Sequence, residues 1–206
     1  MSKLLKKIKW LGHASFKIET DKIIYIDPYE IEEKEKADLI LITHEHYDHC
    51  SPEDIKKIIK NDTAIVTISS AASKLSGNIK IVNPGDEIEI EGIRIKAVPS
   101  YNINKKFHPR DSNKVGFLVT IEGETVYHAG DTDFIPEMKD IKTDIALLPV
   151  SGTYVMDPLE ASKAAEIIKP KYVIPMHYGS IVGSREDAEK FKGLYTGETV
   201  IYDIYR

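Results

Sequence analysis

Two stretches of this chain match across 106 residues without a gap, and this constrains the fold more than any other feature. ADLILITHEHYDHCSPE, from Ala37, lies over TDIALLPVSGTYVMDPLE, from Thr143. Asp38 then meets Asp144, Ser51 meets Asp157 and Pro52 meets Pro158. Each copy reads as an apolar strand, a polar loop and a helix with a capping residue followed by proline. A continuous apolar run such as 38–43 is what a strand buried on both faces requires. Each copy is also preceded by a hairpin. The first pairs Ser15–Glu19 with Ile23–Ile26, and the second pairs 116–121 with 125–127 around Glu122-Gly123. The chain thus reads as two related β-rich halves, each a sheet covered by helices.

Other elements fall between these units. A strand is predicted over 63–68, a short helix over 71–75 ending at Gly77, and a hairpin over 87–98 around Glu91-Gly92. A polar loop, 100–114, follows. After a strand over 144–150, Asp157-Pro158-Leu159-Glu160 has the form of a capping box opening a helix that runs to about Lys169. A strand over 172–175, a helix from Ser184 to Gly193 and a closing strand over 199–204 complete the expectation. No linker or shift of composition marks a boundary, so one domain is expected over 1–206.

Composition narrows the class of protein. A chain that is 42% hydrophobic and 30% charged builds a real core. Net charge −5 argues against a nucleic-acid or anionic-membrane partner. One cysteine rules out an internal disulfide and a cysteine-based zinc cage. No apolar run is long enough to span a bilayer, and none follows the basic start MSKLLKKIKW, so a cytoplasmic protein is expected. The absence of Gln and the wealth of Lys, Glu and Ile lean toward a heat-adapted source.

Three of the seven histidines fall within six residues, in Thr43-His44-Glu45-His46-Tyr47-Asp48-His49. Neutral imidazole and carboxylate are good ligands for zinc and similar divalent ions. In extended backbone His44 and His46 point the same way, and a turn before the helix brings Asp48 and His49 round to a neighbouring point. One segment can therefore feed two adjacent ions. The spacing differs from the H-E-x-x-H of helical zinc proteases, since Asp48 stands four residues after His44.

The segment THEHYDH resembles the H-x-H-x-D-H signature of the metallo-β-lactamase superfamily. Gly130-Asp131-Thr132 resembles the family's bridging aspartate, and His177 its final ligand. The likeness runs from Leu11-Gly12-His13 to Tyr178-Gly179 and is nearest the small metal-dependent hydrolase branch that includes ascorbate-6-phosphate lactonase-like proteins. It implies an α/β (α+β) fold, a four-layer αββα sandwich of two mixed β-sheets flanked by helices, with the site at one edge. It implies that His44 and His46 bind a first metal, that Asp48, His49 and His177 bind a second, and that Asp131 touches both. The ions would be Zn2+, one or two, with Mn2+ or Fe as alternatives. A third histidine of the first site is common in the family. Tyr101 stands where it would be sought and His108 lies seven residues on, so the first site is completed by His108, by Tyr101 or by water alone, or stays empty.

Four further residues have readings of their own. His13 either lines the site, bonds a ligand carboxylate or is structural. His128 is expected to be structural, since alternation turns it away from Asp131. Cys50 reads as a small buried thiol. Asp27 either orients a ligand histidine or ends a strand.

Two ions sharing a bound hydroxide need no serine or cysteine nucleophile, and no G-x-S-x-G elbow is present. Asp48 is the expected catalytic residue, holding the nucleophile and shuttling its proton. The reaction expected is hydrolysis of an ester, lactone or phosphodiester in a small anionic substrate, met by Lys105, Lys106, Arg110 and Lys114 of the polar loop. The alternatives are a nuclease-type phosphodiesterase and a non-hydrolytic metal-bound redox or sensing module. No nucleic acid or membrane insertion is expected, while a homo-oligomer is left open.

Overall fold

The computed structural model describes residues 2–32 and 34–205. The first six strands, β1 (Ile8–Gly12), β2 (Ser15–Glu19), β3 (Ile23–Ile26), β4 (Leu39–Ile42), β5 (Ala64–Thr67) and β6 (Asn78–Ile81), form one sheet in sequence order. The second sheet runs in reverse order from β12 (Tyr172–Met176) through β11 (Ile145–Pro149), β10 (Glu124–His128), β9 (Val115–Ile121) and β8 (Ile93–Pro99) to β7 (Glu87–Ile90). Both are mixed. β1, β2 and β3 pair antiparallel and β3 to β6 parallel. β7 to β10 pair antiparallel and β10 to β12 parallel. With helices α1 (Pro52–Ile58), α2 (Ser69–Ala72), α3 (Pro158–Ile168) and α4 (Arg185–Leu194), this is the αββα arrangement expected.

The 106-residue repeat is visible in the bonding. Asp38 and Asp144 each accept, through Oδ2, a backbone amide at the start of the preceding hairpin's second strand, from Ile23 N and Thr125 N, both at 2.8 Å. Each also takes a lysine on Oδ1, Lys60 at 2.6 Å and Lys171 at 2.7 Å. Ser51 caps α1 by accepting from Asp54 N, and Asp157 caps α3 in a full capping box with Glu160. Both helices carry proline at the first turn, where the missing N–H is no loss.

β4 is LILI and β11 is IALLP, both buried throughout, as strands with neighbours on each edge and layers on each face must be. Near the site the two sheets are stitched together. His128 Nε2 donates to the Ala14 carbonyl at 2.8 Å, Val115 N to Thr43 O at 3.3 Å and His177 N to His13 O at 2.8 Å.

Three expectations differ from the structure. β1 was not predicted, because Ile8, Trp10 and Leu11 are all buried and break the two-residue alternation. His13 accordingly lies in the turn between β1 and β2. β6 was missed because NIKI is a short, largely exposed edge. The closing strand over 199–204 is reduced to a single bridge between Thr199 and Val173. Beyond it the chain leaves this sheet for the other: Tyr202 donates its hydroxyl to Leu5 O and Tyr205 N bonds Trp10 O, both at 2.8 Å. No helix among the described residues is long and apolar enough to cross a membrane.

Candidate metal centre

The side chains of interest all follow the carboxyl ends of strands, where open α/β sheets place ligand sites. His13 follows β1, Asp27 follows β3, the segment 44–49 follows β4, His108 follows β8, Asp131 follows β10 and His177 follows β12. Three of these have left-handed backbone, with φ of 49° at His13, 46° at Asp27 and 63° at His177. That conformation costs a non-glycine residue on the order of 1–2 kcal/mol, a strain that clusters at functional sites. Gly130, at φ 64°, brings Asp131 in close: a Cβ there would lie 2.9 Å from the Val115 carbonyl oxygen.

Six of the seven histidines converge. His44 Nε2 and His108 Nε2 stand 3.1 and 3.2 Å from His46 Nδ1. A second group consists of His13, Asp48, His49 and His177. Asp131 joins the two. Its Oδ1 is 3.2 Å from both His49 Nε2 and His177 Nε2, while its Oδ2 is 3.3 Å from His108 Nε2 and 4.0 Å from His44 Nε2.

The outer ring nitrogens are fixed by partners, and these set which nitrogen faces inward. Thr43 Oγ1 donates to Asp27 Oδ2 at 2.6 Å, so it accepts from His44 Nδ1 at 3.0 Å. Asp27 Oδ2 also accepts from His49 Nδ1 at 2.7 Å. Asn102 Oδ1 accepts from His108 Nδ1 at 3.0 Å. Ser151 Oγ pairs with His177 Nδ1 at 3.0 Å. His44 and His108 therefore aim bare Nε2 lone pairs at His46 Nδ1, whose single proton can satisfy only one of them.

Charge follows the same geometry. Burial pushes the His44 imidazole well below the usual range, lowers His46, and brings His108 down to about 4, so all three are neutral donors near pH 7. Burial would raise the Asp131 carboxyl, but His177 and His49 beside it hold it well below the carboxylate range. Burial also opposes charge on His49, yet Asp131 and Asp27 hold it well above the usual imidazole value. Asp48 is held at about 2, because the His13 hydrogen bond at 3.1 Å and nearby His49 outweigh burial.

Among the described residues His49 Nε2, His177 Nε2 and Asp131 Oδ1 are buried without a hydrogen-bond partner, although they lie 3.2 Å apart. Buried polar atoms are rarely left so, and each costs about 1–3 kcal/mol. Nitrogen and carboxylate donors orphaned around common points are what a divalent cation satisfies. The residues fit a metal pair, with His44, His46 and His108 about one point, Asp48, His49 and His177 about the other, and Asp131 between.

A sequence profile described as the β-lactamase superfamily domain matches residues 7–177. A UPF0173 metal-dependent hydrolase of Thermoplasma acidophilum is 40% identical, covering 91% of this chain and 90% of that one. This chain belongs to the metallo-β-lactamase superfamily. Within it, the UPF0173 metal-dependent hydrolases are its family. A Parabacteroides distasonis crystal structure superposes with TM-score 0.85 at 38% identity over 96% of this chain and 93% of that one. A metallo hydrolase from Ignicoccus hospitalis gives TM-score 0.78 at 26% identity, covering 97% of this chain and 95% of that one.

Sequence reasoning left the first site of this superfamily member open among His108, Tyr101 and water. The structure puts His108 in the group. Tyr101 is turned elsewhere: its hydroxyl donates to Glu137 at 2.8 Å and its ring lies under Arg110. His13 bonds Asp48, and Asp27 orients His49. His128 is a buried stitch between sheets, and burial pushes the Cys50 thiol up to about 11, leaving it protonated. Asn102 and Ser151 were not singled out beforehand. Both lie in loops just after strand ends, which was the available signal. The loop cations are largely committed: Lys105 to Asp133 and Lys114 to Glu45, each at 2.5 Å, and Arg110 to Glu137 at 2.9 Å. Of the four, only Lys106 has no ion pair among the described residues, so the expected anion-binding loop is mostly neutralised by acids of neighbouring segments.

Proposed function

We propose that this metal-dependent hydrolase holds two divalent ions, zinc in the first instance, and cleaves an ester, lactone or phosphodiester bond in a small anionic substrate. The observation that carries the reading is the division of Asp131, with one oxygen toward each donor group and Oδ1 orphaned between the His49 and His177 imidazoles. Imidazole and carboxylate without thiolate suit zinc, and also manganese or iron. Divalent ions there supply Lewis acidity, which acidifies a water and polarises the oxygen of the bond under attack.

The chain's own residues supply the remainder. Asp48 lines the cleft and is ionised at neutral pH, so its carboxylate takes the proton of the attacking water and passes it to the leaving group. His13 steadies that carboxylate through Nε2. Asp27, Thr43, Asn102 and Ser151 hold the imidazoles in one tautomer and orientation.

Ser151, His177 and Asp131 follow one another in the order of a nucleophile, base and acid. His177 Nε2 has no hydrogen bond to Asp131, however, and three other imidazoles, His44, His49 and His108, lie within 4.0 Å of that carboxylate, so Ser151 is read as a partner that orients His177. The test is His46→Ala and Asp131→Ala, with bound metal measured by mass spectrometry and turnover on a panel of lactones and phosphodiesters. Both variants are expected to lose metal and activity; unchanged metal content in both refutes the assignment.

A further inference from the structure

Above the donor cluster lies a cleft of about 440 Å³, within the range that holds a small ligand. Its floor is His46, Asp48, His108 and Asp131, and Glu45 also lines it. Its walls are apolar and unusually open. Tyr47 is 63% exposed, Phe107 51% and Ile181 36%, three of the ten large apolar side chains left in water among the described residues. Phe107 meets Tyr154 edge to face, with ring centroids 4.6 Å apart at 82°. This pair presents an aromatic ledge beside the cluster, not a shape closed on itself. Exposed apolar surface grouped around a polar centre marks a ligand groove.

One cation reaches the same cleft. Lys74 lines it and donates from Nζ to the Glu45 carbonyl at 2.6 Å, and no carboxylate pairs with it among the described residues. The other candidate cations of loop 100–114 are spent on ion pairs or lie off the cleft. A sugar phosphate would find few hydroxyl partners on Tyr47, Phe107 and Ile181. An aromatic ring would find faces and edges to pack against.

Resting on the metal-dependent reading above, we infer that the substrates are small aromatic anions. The anionic, reacting group sits over Asp131 and near Lys74, and the aryl ring lies between Tyr47 and the Phe107–Tyr154 ledge. The cleft's size, with Lys74 as the one cation lining it among the described residues, fits one ring and not a polymer.

Two stable phosphonates test this without presuming which bond is cut. Titration calorimetry on the zinc-loaded protein compares benzylphosphonate with methylphosphonate. Burial of one ring predicts benzylphosphonate tighter by on the order of 10–100-fold, and Phe107→Ala and Tyr47→Ala should each shrink that ratio. Equal affinity for the two probes in the unaltered protein overturns the inference while leaving the metal reading intact. Binding of neither probe to the zinc-loaded protein overturns the inference, whereas failure of the protein to take up zinc overturns the metal reading beneath it. A concentration-dependent dimer that Phe107→Ala dissociates, measured by sedimentation, also overturns it, because the apolar walls would then be a contact between copies.

Discussion

The loop after β4 and the loop after β11 leave their sheets at equivalent places and re-enter equivalent helices, yet they contribute different things. Both are flanked by an aspartate that ties the preceding hairpin to a lysine, and both end at a capped helix with proline in its first turn. The first loop carries His44, His46, Asp48 and His49. The second has Val150, Gly152, Tyr154 and Val155 at those positions. Of these, Val150 and Val155 are buried, Tyr154 walls the cleft, and neighbouring Ser151 fixes His177. The scaffold is duplicated and the chemistry is not: a strand–loop–helix unit supplies position, and side chains in a short loop decide what is done there.

The largest expected effect sets the shared carboxylate after β10 against the second loop. Asp131→Ala should remove both ions and lower activity by more than the roughly 10–100-fold typical of an outer partner, whereas Tyr154→Ala should leave metal content unchanged. Elemental analysis beside steady-state kinetics reads both. Next come the orienting residues of the two halves. Asp27→Asn should weaken zinc affinity by roughly 10–100-fold, and Ser151→Ala by less, because a carboxylate holding an imidazole is a stronger partner than a hydroxyl. Competition with a chelator measures each. A near-complete loss of activity with full zinc retention in Ser151→Ala would instead make Ser151 a nucleophile.

The scaffold comparison predicts smaller, matched effects. Ser51→Ala and Asp157→Ala should each cost about 1 kcal/mol in urea unfolding, since each removes the side chain that caps its helix. The smallest effect is one of pH. Burial raises the carboxyls of Asp38 and Asp144, but the bonds from Lys60 and Ile23 N, and from Lys171 and Thr125 N, bring both below the usual value. A carboxyl lowered on folding adds stability above its unfolded pKa, about 3.9, and that stability is lost as pH falls through the folded value. Asp38→Asn and Asp144→Asn should therefore each flatten the fall of Tm between pH 6 and pH 3, and by similar amounts. A flattening in only one variant would break the symmetry.

Much of this was legible in residue order. Alternation and turn residues placed β2, β3 and β7 to β10, and caps placed α1, α3 and α4. The cluster at 44–49 announced itself because its ligands are adjacent in sequence. His108 did not, since it reaches the cluster across a loop whose path depends on Asn102 bonding both its backbone and its ring. The aromatic cleft was hidden for the same reason: Tyr47, Phe107 and Tyr154 come from three loops that only the folded sheets bring together. The 199–204 segment alternates like a strand, but it is drawn off by Tyr202 and Tyr205, whose partners lie near the start of the chain.

The central claim is that two ions sit on either side of Asp131. Anomalous diffraction at the zinc edge, on crystals grown with zinc, tests it most directly. Two peaks per chain are expected, one among His44, His46 and His108 and one among Asp48, His49 and His177, with the Asp131 carboxylate between them. A single peak per chain, or none, would contradict it.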